Sequence, residues 1–262
     1  MKRASTTLFI GAWLLVGAGA RPALAQVTLP YDHIGLVASE PLKAAAWWTA
    51  HMGAGAGSSG ERATYGATQL IFVKGTPGEV ATGAGVVDHI GISVADVDAK
   101  MKELAAAGAR TLTPARDLPG LFKSGLVEDP WGVRVEVVGD ASVSGLHHIH
   151  VRAADPAKSL KQYQVVFGGE RGKLKGRVEG VRYGTMWVLV EGPKDFPGPA
   201  SSSMAVDHMA WRVENVDAAA SEVKARGIKT VGPQNLGTVR NCFVIGADGE
   251  KLELIQRFPP KS

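Results

Sequence analysis

Four histidines recur along this chain at nearly regular intervals. His33, His89, His148 and His208 are separated by 56, 59 and 60 residues, and each lies within a short apolar run. An imidazole can ligate a divalent metal or transfer a proton near neutral pH. A single histidine in such a run is usually structural, whereas four in the same local setting indicate a repeated chemical role.

Two glutamates accompany these histidines. Glu136 and Glu253 each lie between two aliphatic residues, and each follows a glycine by four residues. A carboxylate in the middle of an apolar strand is costly unless a cation or a hydrogen-bond donor meets it. Two histidines and one carboxylate per half make a facial ligand set that suits Fe(II), Zn(II), Mn(II) or Ni(II). The alternative is that histidine and glutamate simply hydrogen-bond to each other across a sheet.

Three further polar residues are predicted on the same faces. Arg134 and Lys251 each precede a glutamate by two residues, so they either hold an anionic group of a substrate or pair with the glutamate. His150 follows His148 by two residues, where the other three segments have Gly or Ala. It is the candidate acid or base of the second half, with a structural histidine as the alternative.

The elements that must position these residues are also repeated. "VDHIGISVADVDA" (87–99) matches "VDHMAWRVENVDA" (206–218) at an offset of 119 residues, and 33–53 matches 148–168 at an offset of 115. Each histidine strand is followed by a helix that ends at a glycine and then by strands separated by Gly, Pro or Asp turns. The sequence therefore predicts an α+β fold of four βαβββ modules, grouped as two pairs.

The predicted domains are contiguous in sequence. The small, polar segment 137–145 is the expected linker, which gives a first domain over 26–141 (modules 1 and 2) and a second over 142–262 (modules 3 and 4).

Residues 1–25 have the pattern of a cleaved secretory signal peptide. Lys2 and Arg3 precede an apolar run over 8–20, which is too short to span a bilayer, and Ala23-Leu24-Ala25 forms a cleavage site. We therefore expect an exported protein, periplasmic or extracellular. This segment holds three of the 29 basic residues and none of the 25 acidic ones, so the remainder balances at 26 to 25. Neither nucleic acid nor a membrane is an expected partner of the mature chain.

The sequence resembles the vicinal oxygen chelate superfamily, which includes glyoxalase I, extradiol dioxygenases and bleomycin resistance proteins. The resemblance rests on the module starts "DHIG", "DHIG", "HHIH" and "DHMA" and on the turns "DPWGVRVE" and "ADGEKLE". It implies that the modules pair into two cup-shaped domains of curved sheet. It also implies a metal in each cup, a small-molecule substrate, and a homodimer as one allowed assembly. The implied ligand sets are His33, His89 and Glu136 in one half and His148, His208 and Glu253 in the other.

Departures from the family pattern limit the activity that the resemblance implies. Lyase and isomerase members use a fourth ligand on the last strand of the first module, for which Gln69 is the candidate; Met186 and Val188 in module 3 cannot serve. Dioxygenase members have a Tyr ten residues before the glutamate, where this chain has Phe243. We expect a metal-dependent lyase or isomerase that stabilises an enolate of a small oxygenated metabolite. The alternatives are an extradiol-type dioxygenase with altered acid-base residues and a non-catalytic binding protein of the resistance type.

Overall fold

The computed structural model describes residues 31–75, 85–195 and 205–258. The expected signal peptide over 1–25 lies outside the described residues. Within the described part of the chain, no helix is long and apolar enough to cross a membrane.

Each module contains four strands and one helix, which confirms the predicted βαβββ pattern. Module 1 comprises β1 (His33–Ala38), α1 (Pro41–His51), β2 (Gly55–Ala56), β3 (Arg62–Tyr65) and β4 (Thr68–Lys74). Module 2 comprises β5 (Val87–Ser93), α2 (Val97–Ala106), β6 (Arg110–Asp117), β7 (Lys123–Glu128) and β8 (Arg134–Val138). Module 3 comprises β9 (Gly145–Arg152), α3 (Pro156–Phe167), β10 (Glu170–Leu174), β11 (Val178–Tyr183) and β12 (Met186–Glu191). Module 4 comprises β13 (Val206–Arg212), α4 (Val216–Ala225), β14 (Thr230–Asn235), β15 (Val239–Ile245) and β16 (Lys251–Arg257).

Local sequence explains where three of the helices begin. The side chains of Asp96, Asp155 and Asn215 each accept a hydrogen bond from the backbone N–H three residues later, at the starts of α2, α3 and α4. These caps satisfy donors that have no partner inside the helix. In modules 2, 3 and 4, these caps fix the point at which the chain passes from the histidine strand into the helix.

The strands form two eight-stranded mixed sheets. The first has the order β14-β15-β16-β13-β1-β4-β3-β2, and the second has the order β10-β11-β12-β9-β5-β8-β7-β6. Within each sheet, the two modules join where their histidine strands pair antiparallel, β1 with β13 in the first sheet and β5 with β9 in the second. We call the concave face of the module 1 and 4 sheet the first cup and that of the module 2 and 3 sheet the second cup.

This topology corrects the predicted domains. The expected units over 26–141 and 142–262 do not each form a sheet, because module 1 pairs with module 4 and module 2 pairs with module 3. The expected linker over 137–145 is instead a short turn inside the second sheet, with its ends in β8 and β9. Repeat similarity shows which modules are alike, but it does not show which strand edges meet.

Modules that are neighbours in sequence, 1 with 2 and 3 with 4, pack through their helices. Trp48 of α1 donates from Nε1 to Asp129 of module 2 over 2.8 Å, and Tyr163 of α3 donates to Glu250 of module 4 over 2.9 Å. Phe167 stacks on Trp211 with ring centroids 4.0 Å apart. The buried apolar residues of all four modules form one continuous core. Burial of these rings holds the two sheets together around a shared core.

Candidate metal centres

Three of the four repeated histidines are oriented by the aspartate that precedes them. The Nδ1 atoms of His33, His89 and His208 lie 2.8, 2.9 and 2.6 Å from a carboxylate oxygen of Asp32, Asp88 and Asp207, respectively. A carboxylate on one ring nitrogen fixes the tautomer and directs the other nitrogen towards a ligand. The Nε2 atoms are therefore the ones available inside the cups.

In the first cup, His33, His208 and Glu253 converge on one point. His33 Nε2 lies 2.9 Å from His208 Nε2 and 3.0 Å from Glu253 Oε2, and His208 Nε2 lies 3.4 Å from the same oxygen. The other oxygen of Glu253 accepts a hydrogen bond from Asn241 Nδ2. Gly35 makes this arrangement sterically feasible, because a Cβ at that position would lie 2.2 Å from the His208 ring.

In the second cup, His89, His148 and Glu136 form the equivalent group. Glu136 Oε2 lies 3.3 Å from His148 Nε2 and 3.7 Å from His89 Nε2. Here Gly91 provides the space, since a Cβ would lie 2.1 Å from the His148 ring. The three side chains are buried or nearly so, as their counterparts in the first cup are.

These groupings correct the ligand sets implied by the resemblance. His33 does not lie with His89 and Glu136, and His208 and Glu253 do not lie with His148. The physical reason is the strand pairing: β1 runs beside β13, and β5 runs beside β9, so each cup takes one histidine strand from each half of the chain. All six residues remain candidate ligands, but with exchanged partners.

Both groups fit a divalent metal. Ligand atoms at about 2.1 Å from one ion stand about 3.0 Å apart in octahedral and about 3.4 Å apart in tetrahedral geometry. The first cup's spacings of 2.9, 3.0 and 3.4 Å fall on these values, and those of the second cup are slightly wider. Among the described residues, neither His148 Nε2 nor Glu253 Oε2 has a hydrogen-bond partner of suitable geometry, although both atoms are buried. Buried polar atoms left in this state are what an ion between them would satisfy.

The pKa values follow from the charges in each cup. Burial opposes a charge on His89 and His208, but hydrogen bonds that the rings donate to neighbouring Asp and Glu carboxylates outweigh it and raise the pKa of each to about 9. Burial lowers the pKa of His148 to about 3. Burial opposes ionisation of Glu253, yet the adjacent imidazole rings of His208 and His33 lower its pKa to about 2. Both cups therefore attract positive charge at the point where the ligand atoms meet.

Gln69, the expected fourth ligand, lies in the first cup beside His33. The two residues face each other across the parallel pair β1 and β4, and Arg62 Nη1 donates to Gln69 Oε1 over 2.6 Å. The corresponding position opposite His148 is occupied by Trp187. The second cup thus has no amide at this place, and Trp187, rather than Met186, is the residue that excludes a fourth ligand there.

Arg134 and Lys251 pair with neither glutamate in the structure. Arg134 Nη1 lies 3.6 Å from Asp88, and Lys251 Nζ lies 2.6 Å from Asp207. Each cation stabilises the aspartate that orients a candidate ligand, so neither is in the position expected of a substrate-binding residue. Asp88 contacts the ring of the adjacent His89 at a point where the strand register shifts between residues 87 and 89.

His150 belongs to the second cup, with His89 and His148, and not with His208 and Glu253. It lies opposite His89 in the pairing of β9 with β5, and its Nε2 is 3.0 Å from Glu191 Oε2. The nitrogen atoms of His89, His148 and His150 lie within 4.8 Å of one another. Sequence reasoning missed Glu191, because it ends a strand of module 3 and carries no repeated signal.

His148 also differs from the other three repeated histidines, since His147 rather than an aspartate precedes it. The Nδ1 atoms of the two rings are 2.8 Å apart and share a hydrogen bond, and His147 Nε2 lies 3.3 Å from Asp140 Oδ2. The carboxylate is therefore one imidazole further from the ligand in this module.

A cavity of about 240 Å³ opens directly onto the second cup. Its inner wall contains His89, His148, His150, Glu136 and Glu191. A second hollow lies at the contact of modules 1 and 3, lined by the turns at Gly66 and Gly184, and it includes none of the candidate ligands. The second cup is therefore the cup in which candidate ligands meet a space for a small molecule.

Comparisons with known proteins agree with the observed fold. A family model described as the Glyoxalase/Bleomycin resistance protein/Dioxygenase superfamily matches residues 31–137. Glyoxalase I from Zea mays superposes with a TM-score of 0.66 at 15% identity, covering 86% of this chain and 92% of that one. A putative dioxygenase from Bacillus subtilis subsp. subtilis str. 168 superposes with a TM-score of 0.64 at 15% identity, covering 90% and 87%. No curated protein matches the sequence. At these identities the structural likeness concerns the fold, and it confirms the predicted fold class.

Proposed function

We propose that this chain, whose residues 31–137 match the model of the Glyoxalase/Bleomycin resistance protein/Dioxygenase superfamily, is a metal-dependent enzyme, a lyase or isomerase, that acts on a small oxygenated metabolite. The observation that carries the proposal is the second cup, where a 2-His-1-carboxylate group forms the inner end of a cavity of about 240 Å³. Fold analogy alone does not select a reaction, so the activity is argued from this site.

The second-cup ligands would be His89, His148 and Glu136. A bound Fe(II), Zn(II), Mn(II) or Ni(II) ion would supply chelation of two vicinal oxygens and stabilisation of negative charge on the substrate. Asp88 and His147 hold the two imidazole rings through their Nδ1 atoms. Both rings are thereby fixed with Nε2 directed at the cavity before a substrate arrives.

The proton-transfer group would be the pair of His150 and Glu191. Nε2 of His150 and Oε2 of Glu191 are 3.0 Å apart, and both residues line the cavity. A carboxylate held against an imidazole orients the ring and stabilises it when it gains a proton. The pair is therefore placed to remove a proton from one carbon of a bound substrate and return it to another.

The cavity walls would exclude water from this chemistry. They include Leu118, Leu121, Phe122, Leu126 and Leu189. In such surroundings, charge–charge interactions are stronger than in water, and a proton once removed is not exchanged with solvent. This favours an isomerase or a lyase, both of which require proton transfer without loss to bulk water.

Metal content and turnover of two matched variants test this function. The parent protein should bind up to two divalent ions per chain, and Glu136→Gln and Glu253→Gln should each lose one. On a panel of vicinal hydroxycarbonyl and dicarbonyl compounds, Glu136→Gln should lower turnover about 100-fold or more, and Glu253→Gln should lower it much less. If both variants keep as much metal as the parent, the glutamates are structural and the proposal is wrong.

A non-catalytic binding protein is the second candidate, and the apolar wall of the cavity favours it. Ring cleavage by a dioxygenase has less support, because the residue ten before each glutamate ligand is apolar: Phe243 in the first cup and Leu126 in the second. A binder would retain a panel compound without converting it, which product analysis distinguishes from turnover.

We further propose that the protein is exported after cleavage behind Ala25. The basic start, the short apolar run and the Ala23-Leu24-Ala25 triplet support this. N-terminal sequencing of the protein recovered outside the cytoplasm should begin at or near Gln26; a start at Met1 would contradict export.

A further inference from the structure

The cavity of the second cup has two polar ends joined by an apolar middle. The inner end carries the candidate ligands and the pair of His150 and Glu191. The outer end is formed by β6 and the turn between β6 and β7, where Arg116 and Thr113 line the cavity. The middle is a belt of aliphatic and aromatic side chains: Leu118, Leu121, Phe122, Leu126, Leu174, Val178 and Leu189.

The size of the cavity limits the body of a ligand. An enclosed apolar cavity of about 150 Å³ accommodates benzene, so about 240 Å³ leaves space for one ring, or a branched chain of similar volume, with short substituents. The apolar belt favours a ligand whose central part carries no charge.

Arg116 is the cation of the outer end, and its guanidinium is available to a ligand. No carboxylate of the described residues lies within ion-pair distance of it. The neighbouring cations differ: Arg110 on the same strand pairs with Glu128 over 2.8 Å, and Lys123 of β7 pairs with Asp98. Asp195, the acid at the outer end, accepts a hydrogen bond from the Gly192 N–H over 3.0 Å.

The strand positions give the separation of the two ends. Glu136 on β8 faces Leu126 on β7, and Leu126 faces Thr113 on β6. Adjacent strands lie about 4.8 Å apart, so the two strand spacings from β8 to β6 place the backbone of Glu136 roughly 10 Å from that of β6. Arg116 faces Ser124, two residues along β7 from Leu126, so it lies slightly further from the glutamate. A single ring with a short acidic arm spans this distance.

On the basis of the proposed function, we infer that the second cup takes a small organic anion with vicinal oxygens at one end and a carboxylate at the other. The oxygens lie at His89, His148 and Glu136, the apolar body fills the belt, and the carboxylate pairs with Arg116. Arg116 is thus a specificity-determining residue that selects acids over neutral compounds of the same shape.

Two hydroxamates of matched shape test this inference by direct binding. 4-(Carboxymethyl)benzohydroxamate has two vicinal oxygens at one end and a carboxylate at the other; 4-ethylbenzohydroxamate has the same chelating end and no charge. With the full, metal-loaded chain, calorimetry should show the acid binding about tenfold more tightly than the neutral probe. Arg116→Gln should remove this difference, and Arg110→Gln, the matched control on the same strand, should preserve it. Repeating the titrations in the Glu253→Gln background confines them to the second cup.

The outcomes separate this inference from the proposed function. Equal binding of the two probes to the parent, or an equal loss of both in Arg116→Gln, overturns the anion subsite and leaves metal chelation standing. If neither probe depends on metal or on Glu136, chelation and the proposed function fail. A preference for the acid that still disappears in Arg116→Gln would then support the anion subsite alone.

Discussion

The two cups use the same ligand types but place a glycine beside a different histidine. In the first cup, Gly35 lies opposite His208, and His33 lies opposite Ala210. In the second cup, Gly91 lies opposite His148, so it is the other histidine strand that provides the room. The position equivalent to Gly35 there is His150, which lies opposite His89.

This exchange accompanies a difference in the spacing of the ligand atoms. With a glycine at position 35, the His208 ring lies over the backbone and closes on His33 and Glu253 at 2.9 to 3.4 Å. In the second cup, His150 takes the place of this glycine. There Glu136 Oε2 lies 3.3 Å from His148 Nε2 and 3.7 Å from His89 Nε2, and the group faces a cavity. One residue beside a ligand therefore distinguishes a compact metal group from one with room for a substrate.

The largest effect on the difference between the cups is expected from the removal of His150. His150→Ala should lower turnover about 100-fold or more, because the proton-transfer group is lost, while metal content stays at the parent level. Steady-state kinetics on a substrate found by screening, together with metal analysis, measures both effects. His51→Ala is the matched control, since His51 is a partly exposed histidine paired with Glu103 and remote from both cups. Full turnover in His150→Ala would place the chemistry in the first cup and make Gln69 the next residue to test.

The next largest effect is expected at the two glycines, Gly35 and Gly91. Gly35→Ala should weaken metal binding in the first cup alone, and Gly91→Ala in the second cup alone, because the new Cβ would lie 2.2 Å and 2.1 Å from the respective ligand ring. We expect a loss of metal affinity of about tenfold or more in the affected cup, similar to the effect of disturbing groups that orient ligands. Metal titration of each variant measures this, and Ala210→Gly, which adds no atoms, should leave both affinities within about twofold of the parent. Equal effects of Gly35→Ala and Gly91→Ala on both cups would mean that the cups are not independent.

Much of this site was predictable from the sequence, but its assembly was not. The repeated histidines, the acids Glu136 and Glu253, and the βαβββ order follow from spacing and alternation. The pairing of β1 with β13 decides which modules share a sheet. The paired residues are at least 170 positions apart in sequence, so the contact leaves no local signal. The cavity was beyond prediction for a related reason, because its wall combines β6 and β7 of module 2 with β10 to β12 of module 3.

A smaller effect on metal affinity is expected at the aspartates that orient the histidine ligands. His208 is held by Asp207, whereas His148 is held by His147, which in turn contacts Asp140. Asp207→Asn should lower metal affinity in the first cup by roughly tenfold, since it removes a carboxylate directly bonded to a ligand. Asp140→Asn should lower affinity in the second cup by a smaller factor, because an imidazole separates it from the ligand. Metal titrations compare the two variants, and an equal or larger loss in Asp140→Asn would contradict this order.

The smallest effect on the cups is expected at the contact between modules 1 and 2. Asp129 accepts hydrogen bonds from Trp48 Nε1 and from the backbone N–H groups of Trp131 and Val133. Burial raises its pKa to about 6, although these hydrogen bonds act in the opposite direction. An acid with a pKa raised by folding stabilises the protein in its protonated form, so its contribution is present below pH 4 and is lost as the pH rises through about 6.

Asp129→Asn should therefore flatten the pH dependence of stability without changing metal content in either cup. Between pH 4 and 7, the free energy of unfolding of the parent should fall relative to that of the variant by at most ~3 kcal/mol, because one unit of pKa shift corresponds to about 1.4 kcal/mol. Denaturant unfolding at several pH values measures this difference, and Asp117→Asn, which removes an exposed carboxyl group, controls for the loss of one charge. Parallel curves for the parent and Asp129→Asn would show that this carboxyl group is ionised in the folded protein throughout that range. The hydrogen bond from Trp48 of α1 to Asp129 would then be made to a carboxylate at every pH in the range, and the stability it provides would not depend on pH.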